Sequence, residues 1–115
     1  MAGLCAVPYD EGLAERIRDC WPRGAELAEK KMFGGVAFML RGNMACGIVG
    51  DRLMLRLDKA LVAQYLQEPH TAAMDFTGRP MPSMMYVDPE GIADDDQLRT
   101  WVGRAVDYAA SLPAK

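Results

Sequence analysis

The side chains that could carry out chemistry are few and widely separated along this sequence. The one histidine, His70, lies in the segment Glu68-Pro69-His70-Thr71, and a serine or cysteine nucleophile would have to reach it from a distant part of the chain. The carboxylates Asp94 to Asp96 directly precede an apolar helical pattern, where acidic side chains cap helices. Zinc and calcium spacings are absent. The sequence predicts no catalytic residue, metal site or cofactor, so we expect a protein that is not an enzyme.

Methionine is unusually frequent, with nine in 115 residues and three within Met81-Pro82-Ser83-Met84-Met85. Thioether pairs can bind Cu(I), but this run contains no histidine or cysteine. Flexible filling of the core is the favoured interpretation, and an adaptable protein-binding surface is the alternative. Because neighbouring strand residues point to opposite faces, we expect one of Met84 and Met85 to be available to a partner.

The segment Lys31-Met32-Phe33-Gly34-Gly35 is the second candidate for binding. Its glycines lack the spacing and the following helix of a phosphate-binding loop. Gly34 and Gly35 can adopt positive φ or permit close backbone approach, which predicts a bend or bulge with Phe33 as a core anchor. The bend would leave one of the two adjacent lysines exposed, and a ligand or partner site there is the alternative interpretation.

Three helices are predicted to position these segments within one domain, residues 1–115. Asp10 and Asp58 are expected to cap the first and second helices. The strongest apolar periodicity, over residues 98–109, predicts a closing helix with Trp101 in the centre of its apolar stripe. We therefore expect Trp101 to be buried.

Short apolar runs separated by turn residues predict a β-sheet between the helices. The predicted strands are residues 36–40, 44–49, 53–57 and 84–87. The first three are joined by turns that permit antiparallel hairpins and no parallel crossover. The order helix, β-meander, helix, strand, helix indicates an α+β two-layer sandwich, with helices on one face of an antiparallel sheet.

The predicted sheet leaves edges that must be protected or paired. Residues 36–40 and 84–87 contain no charged side chain, so we expect one of these runs at an edge. We hypothesise a symmetric homodimer joined through a sheet edge or a methionine-rich surface, and not through disulfides.

Composition excludes several classes of function. A net charge of −3 lacks the basic footprint of a nucleic-acid-binding protein, so we expect no direct DNA binding. No apolar stretch approaches the roughly 20 residues that span a bilayer, so we expect no membrane partner. Three cysteines without CxxC spacing, and no secretory leader, favour free thiols in the cytoplasm.

Several of these segments together resemble the TfoX N-terminal domain family, from about Trp21 to Ala110. The residues that carry the resemblance are Lys31 to Gly35, Gly42, Leu53 to Asp58, Gly78 to Met81, Met85 to Pro89 and Leu98 to Trp101. The sequence departs from the family at Met85, where a second aromatic residue is frequent.

The resemblance implies an α+β fold like that of secretion chaperones and a relation to regulators of bacterial competence. In those regulators a second, helical domain follows this one at the C-terminal side. This sequence ends at Lys115 without such a domain, so we expect a stand-alone copy. It implies no catalytic residues.

We therefore predict a non-enzymatic, cytoplasmic regulatory or protein-interaction domain with an unidentified protein partner. The alternative is a small-molecule or nucleotide-binding module that uses the Gly34-Gly35 bend. The residues predicted to contact a partner or ligand are Lys31, Phe33, Gly34, Gly35, Arg79 and Met85.

Overall fold

The structure of the chain, a computed structural model, describes residues 10–32, 35–76 and 79–113. Within these ranges the helices are α1 (Glu11–Cys20), α2 (Lys59–Tyr65) and α3 (Asp95–Ala110), with a 3₁₀ turn at Pro89–Gly91. The strands are β1 (Ala28–Met32), β2 (Gly35–Leu40), β3 (Asn43–Val49), β4 (Arg52–Arg56), β5 (Thr71–Phe76) and β6 (Arg79–Val87). Helices and an antiparallel sheet in one chain confirm the predicted α+β class.

The strands form one open antiparallel sheet in the order β1-β2-β3-β4-β6-β5. β2, β3 and β4 make the predicted meander, because the turns between them are short, and β1 adds a strand that was not predicted. Arg41 and Gly42, which join β2 to β3, have φ values of 50° and 84°. Positive φ at two successive turn residues matches the right-handed twist of the flanking strands. Gly42 adopts this conformation without steric cost, which explains the tight hairpin there.

The helices pack against one face of the sheet and form the main core with it. α3 lies across β2, β3 and β4, α2 contacts β6, and α1 packs against α3. Leu13 and Ile17 of α1 meet Leu98 and Val102 of α3 in this core, and all four side chains are at most 3% exposed. The predicted two-layer arrangement is therefore observed.

The closing helix begins and packs as its sequence predicts. The Asp94 carboxylate accepts a hydrogen bond from the backbone N–H of Asp96 at 2.9 Å, and the Gln97 side chain accepts one from the backbone N–H of Asp94 at 3.2 Å. Trp101 is 5% exposed, and its ring meets the Tyr65 ring edge-on with centroids 5.7 Å apart. Burial of Trp101 is confirmed.

The prediction of a sheet edge at residues 36–40 or 84–87 is wrong. Both runs lie inside the sheet, and the edges are β1 and β5, which the apolar pattern did not predict. β1 carries Glu29-Lys30-Lys31, and charged residues are characteristic of strands protected against edge pairing. β5 contains two alanines and an aspartate, which have low β propensity.

β6 also begins earlier than predicted, since Pro80 and Pro82 lie within it. β4 pairs with β6 at residues 84–87, whereas the proline-containing part of β6 pairs with β5. A proline disrupts a strand where its missing N–H is needed by a neighbour. In the described sheet no β4 residue pairs with this part, so the prolines break no bond to β4.

We predict that Trp101→Ala lowers the free energy of unfolding by about 3–5 kcal/mol, because it leaves a cavity in the main core. Urea denaturation measures this change. Asp107→Ala, on the exposed side of the same helix, is the matched control and should change the free energy by less than about 0.5 kcal/mol. Equal urea midpoints for the two variants would show that Trp101 does not contribute to the main core.

Candidate functional site

The sheet face opposite the helices carries a second hydrophobic cluster, which we call the methionine face. Its members are Met44, Val49, Met54, Met74, Met81, Met84 and Tyr86. All of them lie on strands β3 to β6, and no helical residue of the described chain belongs to the cluster. Met54, Met74 and Met84 are buried, and the other four, which pack against them, are half-buried. The methionine face is therefore hydrophobic and partly open to solvent.

Strand alternation produces this second cluster. In β4, Leu53 and Leu55 point into the main core and are fully buried, while Met54 between them belongs to the methionine face. Antiparallel pairing then places Met54 beside Tyr86, and Arg56 beside Met84. Methionines from strands distant in sequence thus meet on one surface.

Positive charge accompanies these methionines. The Arg52 guanidinium carbon lies 4.1 Å from the centroid of the Tyr86 ring, and Arg52 Nε donates to the Asp88 carboxylate at 3.0 Å. Arg56 alternates with Leu55, faces the same side as Met84, and is half-buried. Within the described residues, Arg56 has no hydrogen bond or ion pair, so its charge is uncompensated there.

β1 presents one lysine on each side of the sheet. Lys30 pairs with Ala37 and lies on the methionine side, whereas Lys31 pairs with Val36 of the main core and lies on the helix side. Both lysines are exposed. On the helix side, Arg18 donates to the Glu29 carboxylate at 2.6 and 2.8 Å, and this hydrogen bonding lowers the pKa of Glu29. The single acidic side chain of β1 therefore does not offset Lys30.

The structure does not bring the predicted site residues together. Lys31 lies on β1 and Arg79 begins β6, four positions apart in the strand order, which corresponds to roughly 19 Å across the sheet. Phe33 and Gly34 lie outside the described residues, and so does the side chain of Arg79. Each therefore stays a prediction as a contact residue.

The expectation that Met84 or Met85 is available to a partner is wrong for the chain by itself. Met85 is fully buried in the main core, and Met84, which belongs to the methionine face, is only 6% exposed. The two side chains do alternate as expected, but both faces of the sheet are hydrophobic at this point. Met44 and Met81 are the more accessible methionines of the cluster.

Gly35 confirms the predicted close backbone approach. A Cβ atom at this position would lie 1.8 Å from the backbone carbonyl oxygen of Ile48 on β3. No side chain fits at that distance, so glycine is required for β2 to pair with β3. This packing accounts for Gly35 without a ligand.

The remaining titratable groups lie apart from the methionine face. His70 is exposed in the loop before β5 with a φ of 65°. Cys20 and Cys46 are free, and burial raises the pKa of both thiols. No three His, Cys, Asp or Glu side chains of the described ranges converge as metal ligands. In those ranges, no helix combines the length and apolar character needed to cross a membrane.

Residues 22–109 match the TfoX N-terminal domain. The chain belongs to the TfoX N-terminal domain family. The matched region contains every described strand of the sheet and α3 up to its last residue but one, so the methionine face lies within the family domain. Searches of curated proteins and of solved structures gave no match. The likeness to secretion chaperones stays a prediction.

Only part of the methionine face follows from local sequence patterns. The alternation in residues 53–57 already shows that Met54 and Arg56 point away from the leucines. Met44 and Met74 join them only through the register of β3, β4, β5 and β6. That register depends on strand pairing, which a single sequence does not reveal.

We predict that Gly35→Ala destabilises the fold by about 1–3 kcal/mol, because β2 and β3 must separate to admit the methyl group. Gly103→Ala is the matched control. Gly103 lies inside α3 with no atom within 4 Å of an added Cβ, so alanine should stabilise by about 0.5–1 kcal/mol. Thermal or urea unfolding of the two variants measures these changes. A change of the same sign in the free energy of unfolding of both variants would contradict the close approach of β2 and β3 at Gly35.

Proposed function

We propose that this TfoX N-terminal domain is a non-enzymatic regulatory domain that acts in the cytoplasm by protein–protein contact, and that the methionine face is its contact surface. Membership of the family suggests a role like that of competence regulators. The regulatory effect then depends on which protein the domain binds. We take the occupant of the face to be a segment of a different protein.

The observation that carries this proposal is the composition and exposure of the methionine face. Four of its side chains are half-buried and pack against the three buried methionines, namely Met44, Val49, Met81 and Tyr86. Adjoining hydrophobic side chains that are accessible to solvent offer apolar area that a partner can bury. Methionine has three rotatable side-chain bonds and a polarisable sulfur, so such a surface adapts to the shape of a partner.

The predicted homodimer has lost two of the surfaces that were expected to join its copies. The runs expected at sheet edges are internal, and the actual edge strand β1 is charged. A homodimer through either of those runs therefore loses its support. A homodimer through the other edge strand, β5, or through the methionine face stays a prediction.

The proposal predicts that polar substitutions on the methionine face weaken partner binding without unfolding the domain. We expect the tagged full-length chain to recover a partner protein from the cells that naturally express it. Met44→Gln combined with Met81→Gln should reduce that recovery by about tenfold, because two apolar contacts are lost. Both side chains are half-buried, so the thermal midpoint should stay close to that of the original chain.

The matched control for this experiment is Asp107→Asn, on the exposed side of α3, which should recover the partner fully. Quantitative mass spectrometry of the three purifications gives the comparison. Recovery of the same proteins in the same yield by all three chains would show that the methionine face is not the contact surface.

A further inference from the structure

Cationic side chains lie on the same side of the sheet as the methionine face, although the chain as a whole has a net charge of −3. They are Lys30 on β1 and Arg52 and Arg56 on β4, of which Arg52 is paired with Asp88. Among the strand side chains that the structure describes there, none is acidic, since Glu29 lies on the helix side with Arg18. We propose that this face binds an acidic amphipathic helix of a partner protein, an inference that rests on the proposed function.

Arg56 gives the strongest indication of an acidic partner. Its side chain is half-buried beside Met84 and has no hydrogen bond or ion pair within the described part of the chain. No nitrogen of this guanidinium is buried without a hydrogen bond, so the group is in contact with solvent and can be reached by a partner. A partner that covers the face would remove this charge from water, which costs free energy unless a polar group of the partner compensates it. A carboxylate compensates best, because it accepts two parallel hydrogen bonds from one guanidinium.

Arg52 lies on the same strand and the same face, four residues from Arg56. Its guanidinium already has two partners, since it stacks on Tyr86 and pairs with Asp88. Four strand residues correspond to roughly 13 Å, or about two and a half turns of an α-helix. A helix lying along β4 would therefore reach both arginines with acidic residues at its two ends.

The apolar part of the face fits the width of a helix. Met54 lies at its centre on β4, with Met44 and Val49 on the β3 side and Met84 and Tyr86 on the β6 side. A helix is about 10 Å wide, which is close to two strand spacings. The opposite face of the sheet shows the same packing, since α3 lies across β3 and β4 with its apolar stripe inward. A partner helix with apolar residues at i, i+3, i+4 and i+7 would form an equivalent third layer.

Charge disfavours a second copy of this chain as the occupant. A symmetric contact between two methionine faces would bring Arg52 and Arg56 of one copy close to the same residues of the other, and like charges at an interface are unfavourable. Nucleic acid is also disfavoured, because the methionines at the centre of the face offer phosphates no hydrogen-bond donor.

Site-specific photo-cross-linking in the cells that naturally express the protein tests this proposal. A diazirine side chain replaces Met44 in the full-length chain, and a matched control carries it at Asp107 on α3. We expect cross-linking at position 44, and not at 107, to a segment of another protein with net negative charge and helical apolar spacing. Arg56→Glu should reduce the cross-linked yield by about tenfold, whereas Arg56→Lys should retain most of it.

The outcomes separate this proposal from the proposed function. A captured protein segment that is basic, or a peptide from a second copy of the chain, overturns the acidic helix and leaves the protein-contact function standing. A cross-link to nucleic acid or lipid overturns both, and so does a yield at position 44 no higher than at 107. An unchanged yield in Arg56→Glu, with a thermal midpoint equal to that of the original chain, overturns the acidic helix alone.

Discussion

The alternation of side chains along a β-strand is the constraint on which the rest of this structure depends. Each strand that contributes leucine or valine to the helix-covered core must send its intervening residues to the other face. β4 illustrates this, since Leu53 and Leu55 are fully buried on one side and Met54 lies on the other. The described helices pack against one face only, so the second face is stabilised by what its own strands supply. Methionine, with its flexible and weakly polar side chain, fills that role.

This constraint connects the stability of the domain with its proposed function. The methionine face limits its own contact with water, because Met54, Met74 and Met84 are buried and the half-buried residues pack against them. Arg52 covers part of Tyr86 by stacking on its ring. The free domain can therefore leave this face in contact with water. Covering its apolar side chains with a partner would be favourable, because it removes apolar surface from water. In the proposed complex, Arg56 and Lys30 would favour a partner with acidic side chains.

Local patterns predicted much of the fold. The caps at Asp10, Asp58 and Asp94, the two hairpins and the burial of Trp101 follow from residues close together in sequence. β1 and β5 could not be found in this way, because a charged strand and an alanine-containing strand become strands only by pairing with β2 and β6. The candidate site has the same limit. Its methionines are visible in the sequence, but their meeting on one face depends on the order β3-β4-β6-β5.

Methionine oxidation is the most direct measurement of the central claim that the methionine face is an open surface which a partner covers. The purified chain and the chain in extract of its native cells are exposed briefly to hydrogen peroxide, and each sulfoxide is quantified by mass spectrometry. The account predicts that Met44 and Met81 in the purified chain oxidise well before the buried Met54 and Met85, and that the extract slows Met44 and Met81. Equal oxidation of all four methionines, or rates at Met44 and Met81 that the extract does not change, would contradict it.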